Sequence, residues 1–428
     1  MTSEPLEVVI LNDYASLTGG STAVALASAV GLAARDVAVT FFASVGPVAP
    51  QLLGVPNLKV ICLGQPEIVK NPNRMQAFVS GWRNPRAMQA LREVLSTKSP
   101  RRTVIHAHTW SQALSPFVLT VAREMQFHVV VTLHDFFITC PSGVFFVHPT
   151  REICRRTPLS LSCWHCNCDR RNYAHKLWRN ARSVIQNRIL KVPDKVSYYI
   201  GVSDFSLKIL RPYLPPATPV KMIRNPVDCL KAEPAPVVEN RDFLFIGRFS
   251  NEKGAVLFAQ AVQASGVAAT FIGDGALMPA VRSICPQARF TGWLPPEKIR
   301  PYLRTARALV FPPLWSETLG LVVIEAAAAG VPAIVSDQCA ATDYIRHGVN
   351  GLHFTHGLVE SLSRQMMELN ANHGQAARLG RAAYEWYWNN PWASDRHVSE
   401  LLEVYREIED STIEAGAAAP SRPLLLAR

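Results

Sequence analysis

Two doubly wound α/β domains in succession are what this sequence predicts, on three observations. Short apolar runs with the length of buried parallel strands recur in two series, with helix-period stretches between them. The first run of each series is followed by glycine, Gly19-Gly20 in one and Gly247 in the other, and then by a helical pattern, as in the opening unit of a nucleotide-binding half. Between the series lies 225–239, rich in Pro and Glu, a natural linker, and 428 residues suffice for a core on each side of it.

Taken in order, the first series reads as strands at 8–11, 37–42, 58–62, 104–108, 129–133 and 198–202, with a helix from Ser21 to Ala34 after the glycine turn. The runs are continuously apolar, which marks strands covered on both faces and hence parallel order. The second series runs at 243–246, 269–272, 288–291, 308–311 and 333–336. Two such sheets place a ligand cleft between facing strand ends, with cleft closure the expected motion. Helical patterns resume from Leu358 to about Ile408 and include the aromatic cluster Tyr384-Glu385-Trp386-Tyr387-Trp388. The reading divides the chain into an N-terminal domain (1–228) with an insertion at about 138–192, a C-terminal domain (229–385), a terminal helix (386–410) and a loose Ala- and Pro-rich tail (411–428).

Hydrophobic content of 48% beside 18% charged residues fits a soluble globular protein. No apolar run reaches the roughly 18 to 20 residues of a spanning helix, since 319–335 is broken by Glu325 and Pro332. Glu4 and Glu7 stand where a signal peptide carries lysine or arginine, so the expected compartment is the cytoplasm, with reduced thiols. Residues 1–230 hold 26 Lys+Arg against 13 Asp+Glu, a net of +13, while the rest carries −2. A one-sided excess of that size points to nucleic acid or to an anionic membrane surface.

The most informative stretch is 316–332. Glu317 and Glu325 lie eight positions apart; Gly320 lets backbone approach a ligand, an Ala-rich helix follows, and Pro332 opens the strand at 333–336. Glu317 then sits in the loop before the helix, where amides point outward, and Glu325 about two turns in, so both carboxylates can face one polyhydroxylated ligand. A solvated helix face with a capping acid is the plainer alternative.

At these residues the chain resembles the retaining GT-B glycosyltransferases of family 4, the glycosyl transferases group 1. Their signature is Glu, seven residues, Glu, then a small-residue helix and Gly-x-Pro. The likeness continues in order through Gly19-Gly20, His108, His134-Asp135, Val202-Ser203, Asn225-Pro226-Val227-Asp228, Gly247-Arg248 with Lys253-Gly254, Gly273-Asp274-Gly275 and Asn350-Gly351, spanning about residues 8 to 355. It implies a GT-B fold, two Rossmann-like doubly wound parallel-sheet domains facing a central cleft, and a last helix that crosses back to the N-terminal domain.

It also assigns roles. Transfer from a nucleoside diphosphate sugar requires cations at the leaving diphosphate, and by resemblance these are Arg248 and Lys253. Gly19 and Gly20, with the helix after them, leave room for phosphates. Gly247 and the turn Gly273-Asp274-Gly275 resemble the nucleotide-side loops, and Trp293-Leu294 ends a strand where the family contacts the base; none of these separates UDP from GDP. Glu325 is the expected grip on the ribose hydroxyls, since a carboxylate accepts two hydrogen bonds. Glu317 would meet the transferred sugar beside the amides of Leu319, Gly320 and Leu321, and His134 would reach it from the other domain, with His106 and His108 as weaker candidates.

Retention by front-face attack is implied, with the leaving phosphate accepting the acceptor's proton and Asp135 a minor candidate base. The absence of an Asp-x-Asp motif agrees with catalysis that needs no cofactor. One departure is 338–344, where the family commonly has a Gly-rich turn with Glu; Asp343 is the candidate replacement.

Cys140, Cys154, Cys163, Cys166 and Cys168 fall within thirty residues. Cys163-Trp164-His165-Cys166 has the bite of a zinc site, and Cys140 with Cys154 would complete four thiolates, with Cys168 or His165 as substitutes. Unligated thiols and an iron-sulfur or redox role are the alternatives. Directly after, 170–191 holds Arg170, Arg171, Lys176, Arg179, Arg182, Arg188 and Lys191 and no acid, with apolar residues near helical spacing. That reads either as a basic amphipathic helix on anionic lipid or as a helix packed on the domain.

The expectation is an enzyme on the inner face of the membrane that moves a sugar to a glycan or lipid-linked acceptor in cell-surface polysaccharide synthesis. The rival is a nucleic-acid or partner-binding protein that uses the cysteine cluster and basic helix on an inactive scaffold; a sugar-nucleotide epimerase would need hydrolytic acids that are not found. Donor sugar, acceptor and linkage are not legible.

Overall fold

The computed structural model describes residues 6–417, with side chains through Asp410. The first domain alternates β1 (Glu7–Tyr14), α1 (Gly20–Ala33), β2 (Ala38–Val45), β3 (Leu58–Cys62), α2 (Arg74–Trp82), α3 (Pro85–Leu95), β4 (Thr103–Ala107), α4 (Phe117–Glu124) and β5 (His128–Leu133). An insertion follows: the hairpin β6 (Phe146–Val147) and β7 (Glu152–Ile153), then α5 (Leu161–His165), α6 (Tyr173–Val184) and α7 (Val192–Lys195). The domain ends with β8 (Tyr198–Gly201), α8 (Asp204–Leu210) and β9 (Val220–Met222).

The second domain holds β10 (Asp242–Ile246), α9 (Ala255–Ser265), β11 (Ala269–Ile272), α10 (Met278–Ile284), β12 (Arg289–Gly292), α11 (Pro296–Arg304), β13 (Ala306–Phe311), α12 (Leu321–Ala328), β14 (Ala333–Ser336) and β15 (Gly351–Phe354). Helices α13 (Val359–Ala371), α14 (His373–Asn389) and α15 (Ser394–Ala417) close the chain. The helix α15 extends seven residues into the stretch expected to be a loose tail; 418–428 lie outside the described residues.

Both sheets are parallel throughout, in the orders β3-β2-β1-β4-β5-β8-β9 and β12-β11-β10-β13-β14-β15. The fold is the expected pair of doubly wound domains. The central strands are buried end to end, Val8, Val9, Ile10 and Leu11 on β1 and Phe243, Leu244 and Phe245 on β10, because helices cover both faces. Strand order reverses between β1 and β4 and between β10 and β13, and a doubly wound sheet opens a crevice beyond the carboxyl ends at such a point.

Helix α15 belongs to the first domain's core. Val398, Leu401, Val404 and Tyr405 pack with Val8, Ile10, Ala25 and Phe41. His397 binds the Ser28 hydroxyl at 2.9 Å, and Tyr405 binds His106 Nδ1 at 2.6 Å. The crossing helix therefore starts at Ser394, after the break at 390–393. The domains also meet at the cleft: Thr318 Oγ1 donates to the His134 carbonyl at 2.8 Å, and the Phe205 amide donates to Asp343 Oδ2 at 3.0 Å.

Candidate functional site

Beyond β10 the chain turns through Gly247-Arg248, makes one tight turn at Asn251–Lys253 and enters α9 at Gly254. Gly254 has φ +74°, and a Cβ there would collide with the Pro312 carbonyl oxygen, so only glycine lets this loop lie against the end of β13. The consequence is placement of Lys253, whose ammonium binds Glu317 Oε2, 64 residues away. Trp315 Nε1 donates to the same oxygen at 3.0 Å, and the Lys253 ammonium lies 5.2 Å from the Trp315 ring centre. Lys253 and Glu317 thus meet at the reversal of the second sheet.

The loop before α12 is built by its own sequence. Gly320 caps the helix at φ +85°, where a Cβ would stand 2.8 Å from Phe311 Cζ. The Tyr344 hydroxyl donates to the carbonyls of Leu319 at 2.7 Å and Gly320 at 3.1 Å, which fixes the loop ahead of Leu321. Glu325 projects from α12, half-buried, and its carboxylate makes no hydrogen bond among the described residues; burial pushes its pKa up to about 7, opposed by the Arg300 charge. A carboxylate kept without a partner is a ready acceptor for hydroxyl donors.

The turns at Gly247, Gly273-Asp274-Gly275 and Gly292 pack on each other. The Gly247 amide donates to the Ile272 carbonyl and the Gly273 amide to Gly292, at 3.0 and 2.9 Å. Gly273 and Gly275 take φ of +134° and +155°, and a Cβ on Gly273 would strike the Gly247 carbonyl oxygen. Asp274 Oδ1 accepts from the Gly275 amide at 2.6 Å. Trp293 is 70% exposed, while Leu294 packs partly on the core.

Across the cleft, Gly19 is extended backbone and caps α1. A methyl on Gly20 would stand 3.2 Å from Leu321 Cδ1, so the two helix starts face each other. Their amides point into one crevice. His134 directly follows β5, bonded through Nε2 to His108 Nδ1 at 2.8 Å with the rings stacked, and burial lowers its pKa to about 3. His106 and His108 are also buried and held well below the usual range by burial, so all three stay neutral. Both ring nitrogens of His106 are occupied, by Thr132 and Tyr405. Asp135 accepts from the Phe137 amide at 2.8 Å, and burial raises it to about 7.

Several residues of this constellation were not singled out from sequence: Trp315, Thr318, Tyr344 and Tyr405. Trp315 had the one available signal, an indole two residues before Glu317. Asp343 accepts from the Phe205 amide at the start of α8 in the other domain.

The insertion holds the basic helix and the cysteine cluster. Its basic helix is packed along one side: Lys176 is 1% exposed with its ammonium 3.4 Å from Cys163 Sγ, and Arg182 is buried, donating to the Ser111 carbonyl at 2.6 Å beside the rings of Phe137 and Trp178, while Arg170, Arg171, Arg188 and Lys191 stay exposed. Arg179 pairs with Asp169 at 2.9 Å. Three of the seven charges are thus engaged within the domain, Lys176 by a thiol, Arg179 by a carboxylate and Arg182 by a carbonyl and two aromatic rings. Cys140, Cys154, Cys163, Cys166 and Cys168 do line one small cavity, with no disulfide among them. Among the described residues, however, no three His, Cys, Asp or Glu side chains are grouped so as to hold a metal ion as they stand. His165 is turned out, bonded to the Leu161 carbonyl at 2.8 Å, and drops from the candidate ligands.

The sequence matches the family model described as Glycosyltransferase Family 4 over residues 18–230, and that described as Glycosyl transferases group 1 over 230–386. It is 25% identical over 189 residues to a GDP-mannose-dependent alpha-mannosyltransferase of Corynebacterium glutamicum, covering 43% of this chain and 46% of that one. It is 21% identical over 262 residues to a GDP-mannose-dependent alpha-(1-6)-phosphatidylinositol monomannoside mannosyltransferase of Mycobacterium tuberculosis, covering 55% and 68%. The chain thus spans about half the length of the first of these relatives. Among solved structures, sucrose-phosphate synthase of Thermosynechococcus elongatus superposes with a TM-score of 0.73 at 17% identity, covering 95% and 100%. HepE of Anabaena, solved with UDP and glucose, gives 0.65 at 16%, covering 94% and 100%. At such identities the structures speak for the fold alone.

Proposed function

The chain belongs to the group 1 glycosyltransferases of GT-B fold, and from that premise we propose that it transfers a hexose from a nucleoside diphosphate sugar to a glycan or lipid-linked acceptor with retention. The observation that carries this reading is the meeting of Lys253 and Glu317 at the reversal of the second sheet, across from the Gly19-Gly20 helix start. In the donor complex Lys253 and Arg248 neutralise the diphosphate as the bond from the anomeric carbon to the phosphate oxygen breaks. Glu317, released from Lys253, holds the sugar beside the amides around Gly320. Glu325 takes the ribose hydroxyls. The acceptor oxygen bonds to the anomeric carbon on the face the phosphate leaves, and its proton passes to the departing phosphate oxygen. His134, neutral, contributes a hydrogen bond and no charge.

The names of both relatives favour GDP-mannose as the donor and, in the second, a lipid-borne acceptor. A role on the inner face of the membrane in cell-surface polysaccharide synthesis is consistent with that acceptor. No helix among the described residues is long and apolar enough to cross a membrane. Lys176, Arg179 and Arg182 are engaged within the domain, which leaves the nucleic-acid alternative fewer charges on this helix. The test is transfer from GDP-mannose, and from UDP-glucose as comparison, to a membrane lipid extract, with the product's anomeric configuration read by NMR. An α product from an α donor is expected; an inverted product overturns the mechanism.

A further inference from the structure

Three histidines stand ring against ring where the first sheet meets the cleft. His106 lies on β4, His108 just past it and His134 just past β5, with ring centres 4.3 Å apart for the first pair and 5.1 Å for the second. Each ring nitrogen of His106 meets a hydroxyl, Thr132 at 2.7 Å and Tyr405 at 2.6 Å, so this ring is fixed from two sides and backs His108. One of its anchors lies on α15.

His134 is fastened through its backbone as well, its amide donating to the Thr132 carbonyl at 3.0 Å and its carbonyl accepting from Thr318 at 2.8 Å. The second contact sets it against the loop that carries Glu317. Its ring is held at Nε2 by His108 Nδ1, 2.8 Å away, and its Nδ1 is left over, with no partner among the described residues. That nitrogen is what the ring can offer a ligand.

The hydrogen between the rings can be assigned. Burial keeps both rings neutral, so each carries one ring hydrogen, and a single hydrogen must lie in the 2.8 Å contact because two lone pairs or two N–H groups there repel. Two arrangements satisfy this. If His134 donated, the hydrogen of His108 would sit on Nε2, which is buried and has no partner among the described residues. An N–H buried without an acceptor is the rarer orphan in folded proteins. If His108 donates, its Nε2 keeps only a lone pair, and the hydrogen of His134 stands on Nδ1.

We propose that His108 is a positioning residue, whose Nδ1–H donates to His134 Nε2 and so fixes the turn and tautomer of that ring, leaving His134 Nδ1–H as a donor to a hydroxyl oxygen of the transferred sugar. The pair would give a hydrogen bond where Glu317 and Glu325 can only accept. The word sugar rests on the glycosyltransferase reading; the tautomer does not.

The test begins with the full chain carrying isotope-labelled histidine. A long-range proton–nitrogen correlation spectrum distinguishes the two tautomers, with His134→Gln identifying the His134 signals. Wild type is expected to show His134 protonated at Nδ1. Transfer from GDP-mannose or UDP-glucose to membrane lipid extract is then compared in His108→Leu, which has no donor, and His108→Asn, whose amide can donate from near the place of Nδ1. His108→Leu is expected to lower kcat/KM for the donor at least about tenfold, with GDP or UDP affinity by calorimetry unchanged, and His108→Asn to recover most of the loss. A purely structural role would lower Tm without separating Asn from Leu. His134 protonated at Nε2 in wild type overturns the proposal, and so does equal kcat/KM in wild type and His108→Leu or equal loss in both variants. If neither variant folds, the wild-type spectrum decides. Failure of wild type to bind either nucleotide instead overturns the donor-site reading and leaves the spectrum to judge the histidine pair.

Discussion

Lys253 shows how much a single side chain is asked to do. Its ammonium is held by Glu317 and by the face of Trp315. Because each cation stabilises charge that grows in the transition state, Arg248→Ala and Lys253→Ala are each expected to lower kcat by about two orders of magnitude or more, measured at saturating donor. Glu325 sets a pH dependence. Its pKa of about 7 lies above that of a free carboxyl, so the ionised form proposed to take the ribose hydroxyls dominates only above that pH. Nucleotide affinity should weaken by about tenfold per unit as pH falls below 7, and titration calorimetry on Glu325→Gln should show weak, pH-flat binding. The carboxylates and cations were legible because phosphate and sugar chemistry demands those residue types beside glycine turns. Trp315, Tyr344 and Tyr405 were not, since an aromatic residue in sequence does not name the carbonyl or ring it will meet.

At the scale of elements, glycines at helix starts position the chemistry. Gly320→Ala puts a Cβ against Phe311 at φ +85° and is expected to cost about 1 to 3 kcal/mol and to lower Tm, while raising KM for the donor through displacement of Leu321. Buried central strands were readable as continuous apolar runs. The edge strands β9 and β15 were not, being three and four residues long and partly polar or glycine-led, and the β6–β7 hairpin is shorter still. The basic stretch 170–191 was readable as a helix but not as to which way its charges point, because Trp178 and Phe137 bury guanidinium stems that composition counts as surface. A structural zinc is proposed on the convergence of five thiols alone. It predicts about one zinc per chain by metal analysis, lost in Cys163→Ser with Cys166→Ser; metal-free, folded and active protein contradicts it.

For the whole molecule, α15 ties the two halves together. Leu401 is fully buried in the first domain's core although it follows the second domain in the chain. Leu401→Ala is expected to cost about 2 to 5 kcal/mol in urea unfolding and to destabilise the first domain without altering nucleotide affinity at the second. The two-domain plan was legible because each half repeats the same strand, glycine turn and helix opening; the crossing helix was known only through family likeness, since its apolar face does not say which core it fills. The central claim is that Arg248 and Lys253 cradle a sugar nucleotide's diphosphate at the reversal of the second sheet. Titration calorimetry of GDP and UDP into wild type and into the double variant Arg248→Ala, Lys253→Ala tests it most directly. One nucleotide should bind wild type and bind the folded double variant at least about a hundredfold more weakly. Equal affinity in both proteins, or no binding of either nucleotide to wild type, contradicts the account.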